Sequence, residues 1–181
     1  WNTFIDCDSY ENSGVGVGGE HGDGENSDGF SISSGRGNRF IRPRAWGNSD
    51  DGCDIWQSLD TQIEGLITHD NGDAAGTGDG NGLKGGASGY INNAVITNVL
   101  TYSNLGAGFT HNSGEGASIE RITEWDNAVG FDLSALVTAE RCVKSSATNF
   151  GTGSVVGTTN SWDEAGTPAF VSTDPNSTDF L

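Results

Sequence analysis

Apolar positions recur along this chain in a shared register. Aligning it on Asn12, Asn48, Asn71, Asn104 and Asn127 puts a ring two positions earlier each time: Tyr10, Trp46, His69, Tyr102 and Trp125. Five positions before each Asn stand Cys7, Pro43, Leu66, Val99 and Ile122. Eight positions before stand Phe4, Phe40, Ile63, Ile96 and Ile119. After the Asn comes a glycine followed by an apolar residue, in Asp28-Gly29-Phe30, Asp51-Gly52-Cys53, Asn81-Gly82-Leu83, Gly108-Phe109 and Gly130-Phe131. The last column is spaced by 23, 30, 26 and 22 residues from Phe30 through Cys53, Leu83 and Phe109 to Phe131.

Each repeat holds two or three short extended runs separated by turns, and the helical spacing of apolar residues is nowhere sustained. A repeat of this length with aligned apolar columns predicts a solenoid whose coils bury their inner faces on one another. The leucine-rich pattern LxxLxLxxN is absent. The pattern therefore predicts an all-β fold, a right-handed parallel β-helix of about six coils over residues 1–157, with an irregular cap or tail over 158–181. The Asn and ring columns read first as structural ladders, with amides bonding neighbouring backbone and stacked rings filling space.

Two coils are longer at the same corner. Asn48 to Cys53 is 5 residues, whereas Asn12 to Phe30 is 18 and Asn71 to Leu83 is 12. The extra residues, about Gly14–Ser27 and Gly72–Gly80, are expected to wall a groove whose floor is Asn48-Ser49-Asp50-Asp51-Gly52-Cys53-Asp54. Clustered carboxylates raise one another's pKa and call for a positive partner. A hard cation such as calcium suits them, although the run lacks the EF-hand spacing. A polar turn in an acidic protein is the alternative, and the seven residues by themselves leave both open. Column alignment adds that Asp28 stacks on Asp51, and that Asp54 and Lys84 are neighbours in adjacent coils. Asp28, Asp50, Asp51 and Asp54 thus converge with an amine beside them. The plain reading of the last pair is an Asp54–Lys84 salt bridge.

Composition narrows the partners. With 25 acidic against 8 basic residues the net charge is −17, which argues against nucleic acid or an anionic membrane unless a metal bridges the two. No apolar run is long enough for a transmembrane helix. Cys7, Cys53 and Cys142 are odd in number and lack CxxC spacing, so they indicate neither a disulfide framework nor a zinc site. The sequon Asn176-Ser177-Thr178 points to secretion. His21, His69 and His111 are dispersed, and no Ser-His-Asp or HExxH constellation appears. Arg44 is a candidate for a substrate carboxylate, with a surface ion pair as the alternative.

The stretch Asn38-Arg39-Phe40 … Arg44-Ala45-Trp46-Gly47-Asn48-Ser49-Asp50-Asp51-Gly52-Cys53-Asp54, then Gly80-Asn81-Gly82-Leu83-Lys84-Gly85-Gly86, carries a resemblance. It resembles the core of polysaccharide lyase family 9, whose pattern runs approximately NRF…CRAW-NSDDGFDL…GNGFKLGG, with an ADGF motif one coil earlier matched by Ser27-Asp28-Gly29-Phe30. The resemblance extends over most of the chain, to a tail at Asn160-Ser161-Trp162-Asp163 … Phe170-Val171-Ser172. It implies a secreted, pectate lyase-like enzyme with a right-handed β-helix, calcium held by Asp28, Asp50, Asp51 and Asp54, and Lys84 as the base. It also implies an acidic polysaccharide as substrate. Cys53 and Leu83 replace phenylalanines and Gly85-Gly86-Ala87 follows the lysine, changes that bear on subsite shape.

Two other function classes compete with a lyase. A non-catalytic β-helix, structural or adhesive, would keep calcium only for stability. A glycoside hydrolase would set a pair of carboxylates across the groove. At the ends, Phe4 enters directly in register with no polar segment before it. The first coil is therefore expected to be covered by a longer parent chain or by another subunit stacked on it.

Overall fold

Short strands wind into a coil only if the chain bends sharply between them, and here the bends are made by residues at positive φ. Asp6, Arg42, Gly65, Asn98, Arg121 and Arg141 form the first corner of successive coils, with φ between 50° and 72°. Glu11, Gly47, Asp70, Ser103 and Asp126 form the second, with φ between 51° and 63°. Left-handed backbone costs a non-glycine residue on the order of 1 kcal/mol. That cost is offset because the corner amides still donate to the next coil: Asp6 to the Ile41 carbonyl (3.0 Å), Arg42 to Glu64 (2.7 Å) and Gly65 to Thr97 (3.0 Å).

The computed structural model describes residues 1–16, 22–87, 89–112, 115–133, 136–146, 149–150, 155–157, 159–161 and 163. The first coil carries β1 (Thr3–Ile5), β2 (Asp8–Tyr10) and β3 (Phe30–Ser31). The second carries β4 (Arg39–Ile41), β5 (Arg44–Trp46) and β6 (Cys53–Asp54), and the third β7 (Gln62–Glu64), β8 (Ile67–His69) and β9 (Leu83–Gly85). From the fourth coil on, each coil has two strands: β10 (Val95–Tyr102) with β11 (Ala107–His111), β12 (Glu115–Trp125) with β13 (Val129–Leu133), and β14 (Leu136–Glu140) with β15 (Asn149–Phe150). β16 (Val155–Val156) begins a seventh.

Every strand pairing among the described residues is parallel. One sheet runs β1-β4-β7-β10-β12-β14-β16 with β2, β5 and β8 alongside, and the other runs β3-β6-β9-β11-β13-β15. The architecture is the expected parallel β-helix of six coils and the start of another, and no helix occurs among the described residues. Several sequence features lie outside those residues: part of the first inserted loop including His21, the sequon, Trp162, and nearly all of the tail over 158–181.

The apolar columns are the core. Phe4 pairs with Phe40, Phe40 with Ile63, Ile63 with Ile96, and Ile96 with Ile119. Facing them, Phe30, Cys53, Leu83, Phe109 and Phe131 pair in sequence, and all but Phe30 are fully buried. The small Cys53 and Leu83 thus sit in a ladder otherwise made of phenylalanine. All three cysteines are free thiols. The ring column differs from a space-filling core: Ala45 is buried while Arg44 and Trp46 on either side face outward, so the rings stack on the exterior. Tyr10, Trp46, His69 and Tyr102 lie nearly parallel, with centroids 4.6, 5.8 and 4.7 Å apart.

The Asn column is a continuous hydrogen-bonded ladder. The side-chain amide of Asn12 donates to Asn48 Oδ1, Asn48 to Asn71, Asn71 to Asn104 (each 2.8 Å), and Asn104 to Asn127 (2.9 Å). Each Oδ1 also takes the preceding Asn's backbone N–H. Asn127 ends the ladder on Glu124, a fully buried carboxylate that also accepts the amides of Ser145 and Ser146. Replacing Asn71 by Ala strands donors of Asn48 and an acceptor of Asn104. Asn71→Ala should therefore cost roughly 2–4 kcal/mol of unfolding free energy, and Asn12→Ala at the exposed end markedly less. Urea unfolding of the two variants checks the order, and equal losses would contradict a cooperative buried ladder.

Candidate functional site

A second ladder runs parallel to the first and builds the site. Asp28, Asp51 and Asn81 each stand two positions before an inward residue of the second sheet, so they stack from coil to coil. Asp28 Oδ1 accepts the Asp51 amide (3.2 Å), Asp51 Oδ1 accepts the Asn81 amide and side-chain amide (both 2.8 Å), and Asn81 Oδ1 accepts the Ala107 amide (2.8 Å). Asp51 therefore commits one oxygen to the fold and keeps the other. Gly29 and Gly52 lie where adjacent coils approach closely: a Cβ at Gly52 would fall 2.6 Å from the Gly82 carbonyl oxygen. That closeness is why glycine follows each aspartate.

Asp50 is held differently, by the two inserted loops. Its Oδ2 accepts the Asn26 amide (2.6 Å) and its Oδ1 the Asp79 amide (2.7 Å). The loops also bond each other, Thr77 N–H to the Asp23 carbonyl at 2.7 Å, and Ser49 Oγ reaches the Gly24 carbonyl at 3.2 Å. Sequence spacing predicts two walls either side of an open floor; instead the loops meet over Ser49 and Asp50 and clasp them. The reason is that loop backbone needs partners, and the Asp50 carboxylate offers two strong acceptor oxygens.

Oxygens of Asp28, Asp50 and Asp51 all lie within 4.8 Å of one another. Asp50 and Asp51 are buried and Asp28 is half-buried. The fully buried Asp51 Oδ2 makes no well-formed hydrogen bond in the protein, with Lys84 Nζ 3.2 Å away. A cluster of hard oxygens that includes a buried one left over is what a calcium-type cation requires, so the donor set fits such an ion. Asp54 lies outside this group of three. Its Oδ1 accepts the Trp56 amide (2.8 Å) and its Oδ2 faces Lys84 Nζ at 3.8 Å.

Lys84 stands opposite Asp54 in register on β9, its side chain 16% exposed. Its amine donates to Asp79 Oδ2 at 2.7 Å. The plain Asp54–Lys84 pair is thus one contact of three, and Asp79 is a site residue the column pattern misses because it lies within an insertion. Asn81 had a signal, since it continues the Asp28–Asp51 column. Arg44 is not brought to the site. It lies on β5 of the other sheet, and its guanidinium forms a two-pronged ion pair with Asp8 (2.8 and 2.6 Å) beside a matching Arg42–Asp6 pair. His69 belongs to the ring stack, and His111 is buried on β11.

The charges strain against one another. Burial raises the Asp51 pKa to about 7; Lys84 opposes this and Asp50 adds to it. Burial likewise raises Asp54 to about 6, against Lys84, and lifts Asp28, with Asp50 adding to the rise. For Lys84, burial pulls the amine's pKa down, but Asp51, the hydrogen bond to Asp79 and Asp54 outweigh it and hold the proton on.

A carboxyl whose pKa is raised on folding stabilises the fold while protonated. That contribution is complete below about pH 4, the ordinary aspartate value, and is lost as pH rises through the folded values. With chelator present, Tm should fall between pH 5 and pH 8 as Asp54 and then Asp51 ionise. Calcium should raise Tm most at pH 8. At a hundredfold excess over Kd the gain is about 2.7 kcal/mol, roughly 5–10 °C for a chain of this size. A melting temperature at pH 8 indifferent to calcium would overturn the cation site.

Residues 1–149 match the family described as Pel9A-like, right handed beta helix region. Pectate lyase L of Dickeya dadantii is 33% identical over 144 residues, which cover 76% of this chain and 33% of that protein. Pectate lyase PEL9 of Emericella nidulans is 34% identical over 166 aligned positions, covering 75% of this chain and 39% of the other. The chain therefore spans between a third and two-fifths of the length of these relatives. The crystal structure of pectate lyase Pel9A superposes with a TM-score of 0.75 at 28% identity, over 95% of this chain and 46% of that one. Motifs, coil geometry and these matches agree: the chain belongs to the Pel9A-like right-handed β-helix family, polysaccharide lyase family 9.

Proposed function

We propose that this β-helix is a calcium-dependent lyase domain that cleaves pectate or a related uronate polymer by β-elimination. The observation that carries the reading is Lys84 held beside the Asp28–Asp50–Asp51 cluster, with the buried Asp51 Oδ2 left over. Asp28, Asp50 and Asp51 would hold the cation, and Asp54, which also faces Lys84, would be the fourth carboxylate available to it. Calcium, when bound, neutralises the substrate carboxylate, stabilises the enolate-like charge that develops there, and offsets the aspartate charges around the amine. Its charge also lets a protein of net charge −17 accept an anionic polymer.

Lys84 is the base. Once unprotonated, its amine removes the weakly acidic proton at C5, beside the uronate carboxylate. The C5–H electrons form the C4–C5 double bond, the C4–O bond breaks, and the departing oxygen takes a proton from water. Asp79 and Asp54 hold the amine in place, since each lies within reach of Nζ. Because the base must be neutral while its neighbours keep it charged, activity should rise toward alkaline pH. A polymeric substrate of this kind is met outside the cell, which accords with secretion. Arg44, engaged by Asp8, has no part in this mechanism.

Ultraviolet absorbance of the unsaturated product separates elimination from hydrolysis. Lys84→Ala should lower its formation on polygalacturonate by about 10²–10⁴-fold while the calcium-induced rise in Tm persists. Asp51→Asn should do the reverse for the metal, abolishing the calcium response. A Lys84→Ala chain that keeps most of its turnover would place the base elsewhere. A wild-type chain that binds calcium yet forms no unsaturated product would favour the structural β-helix reading.

A further inference from the structure

The outer face of the second sheet continues beyond the acidic centre. In the second coil Cys53 is buried and Asp54 half-buried on β6, Ile55 is again buried (1% exposed), and Trp56, in the turn that follows the strand, is 46% exposed. The indole thus follows Asp54 by two residues, in a turn closed by the Ser58 amide on the Ile55 carbonyl (3.3 Å). On the next coil, Tyr90 is 42% and Ile91 56% exposed. The fully buried Asn92 ties the two segments together, its amide donating to the carbonyls of Trp56 (2.8 Å) and Ser58 (2.9 Å). The Trp56 amide is fixed in turn on Asp54 Oδ1. Exposed rings on two adjoining coils are therefore tied to Asp54, one of the three carboxylates that face Lys84.

Large exposed rings held on hydrogen-bonded turns call for an occupant. The protein's charge limits which one. The net charge of −17 opposes a uronate chain away from the cation, so a neutral surface suits the sugars flanking the cleavage point. The C–H face of a pyranose ring is apolar, and an indole or phenol receives it without bringing a like charge near its carboxylate. We infer that Trp56 and Tyr90 form a sugar-stacking subsite, holding a ring of the uronate chain next to the one being cleaved. The inference rests on the lyase reading above. Trp56 binds substrate through its side chain, whereas its backbone amide independently orients Asp54.

The test compares wild type, Trp56→Ala, Tyr90→Ala, the double variant and Trp56→Phe, with calcium, on long polygalacturonate and on trigalacturonate. Loss of stacking should raise KM for the polymer about three- to tenfold per ring, with kcat nearly unchanged and a smaller effect on the trimer. Trp56→Phe should recover most of the affinity. The calcium-induced rise in Tm should stay at its wild-type value, showing fold and metal site intact. If the chain binds the polymer without cleaving it, Kd is read in place of KM and the same increases are expected. An unaltered KM or Kd in the double variant overturns the subsite and leaves the lyase reading standing. So does a fall in kcat with the calcium response lost, which would make Trp56 a support for Asp54 only. A wild-type dimer that the double variant converts to monomer overturns it too, since the exposed rings would then join two copies. A wild-type chain that neither binds nor cleaves polygalacturonate overturns both readings.

Discussion

Coil-to-coil register rests on one side-chain oxygen per coil. In the Asn ladder each Oδ1 accepts two bonds from the preceding coil, so a coil that slipped by one residue would leave several buried groups unpaired. The apolar columns alone do not enforce this, because a slipped apolar residue still finds other apolar atoms. Hydrogen bonds select the register, and apolar burial then stabilises it. The site follows directly: Asp28 meets Asp51, and Asp54 meets Lys84, only in that register.

The acidic ladder is the same device with charge added. Asp28 and Asp51 act toward the fold as Asn81 does, accepting the amide of the following coil. Where a third carboxylate would have added to the repulsion, Asn81 supplies a neutral acceptor and two donors toward Asp51. The cluster is therefore bounded within the second sheet, with Lys84 on its outer face and the loop-clasped Asp50 at its flank. Burial of the carboxylates opposes folding unless a cation or a proton compensates, so the fold carries the site at a cost.

Whatever the period determines was legible in the chain. The columns through Phe40, Leu83 and Asn71 gave coil count, core and ladder, and the acidic ladder followed from positions counted back from Phe30 and Cys53. What the period does not determine was hidden. Asp79 lies in an insertion with no column to compare, so its 2.7 Å contact with Lys84 had no signal in spacing. The meeting of the two loops over Asp50 depends on backbone bonds between segments some fifty residues apart. Arg44 sits in a regular strand, but which way its guanidinium turns was decided by Asp8, and the proximity of the acidic run in sequence misled. Glu124 reads as an ordinary strand acid and proves to be the ladder's buried terminus.

The uneven corner has a consequence for redesign. From the first apolar column to the Asn is eight residues in all five aligned coils, whereas from the Asn to the next column it varies from 4 to 18. Segments inserted between a ladder Asn and its following glycine lengthen the coil where both ends are already pinned, so the ladders on either side do not feel them. Grafting at that corner reshapes the groove while leaving the scaffold unaltered. A single residue added between Phe40 and Asn48 would instead rotate every later side chain on that coil to the opposite face. The fold thus separates the part of the chain that can be freely rewritten from the part that cannot, and places the chemistry on the boundary between them.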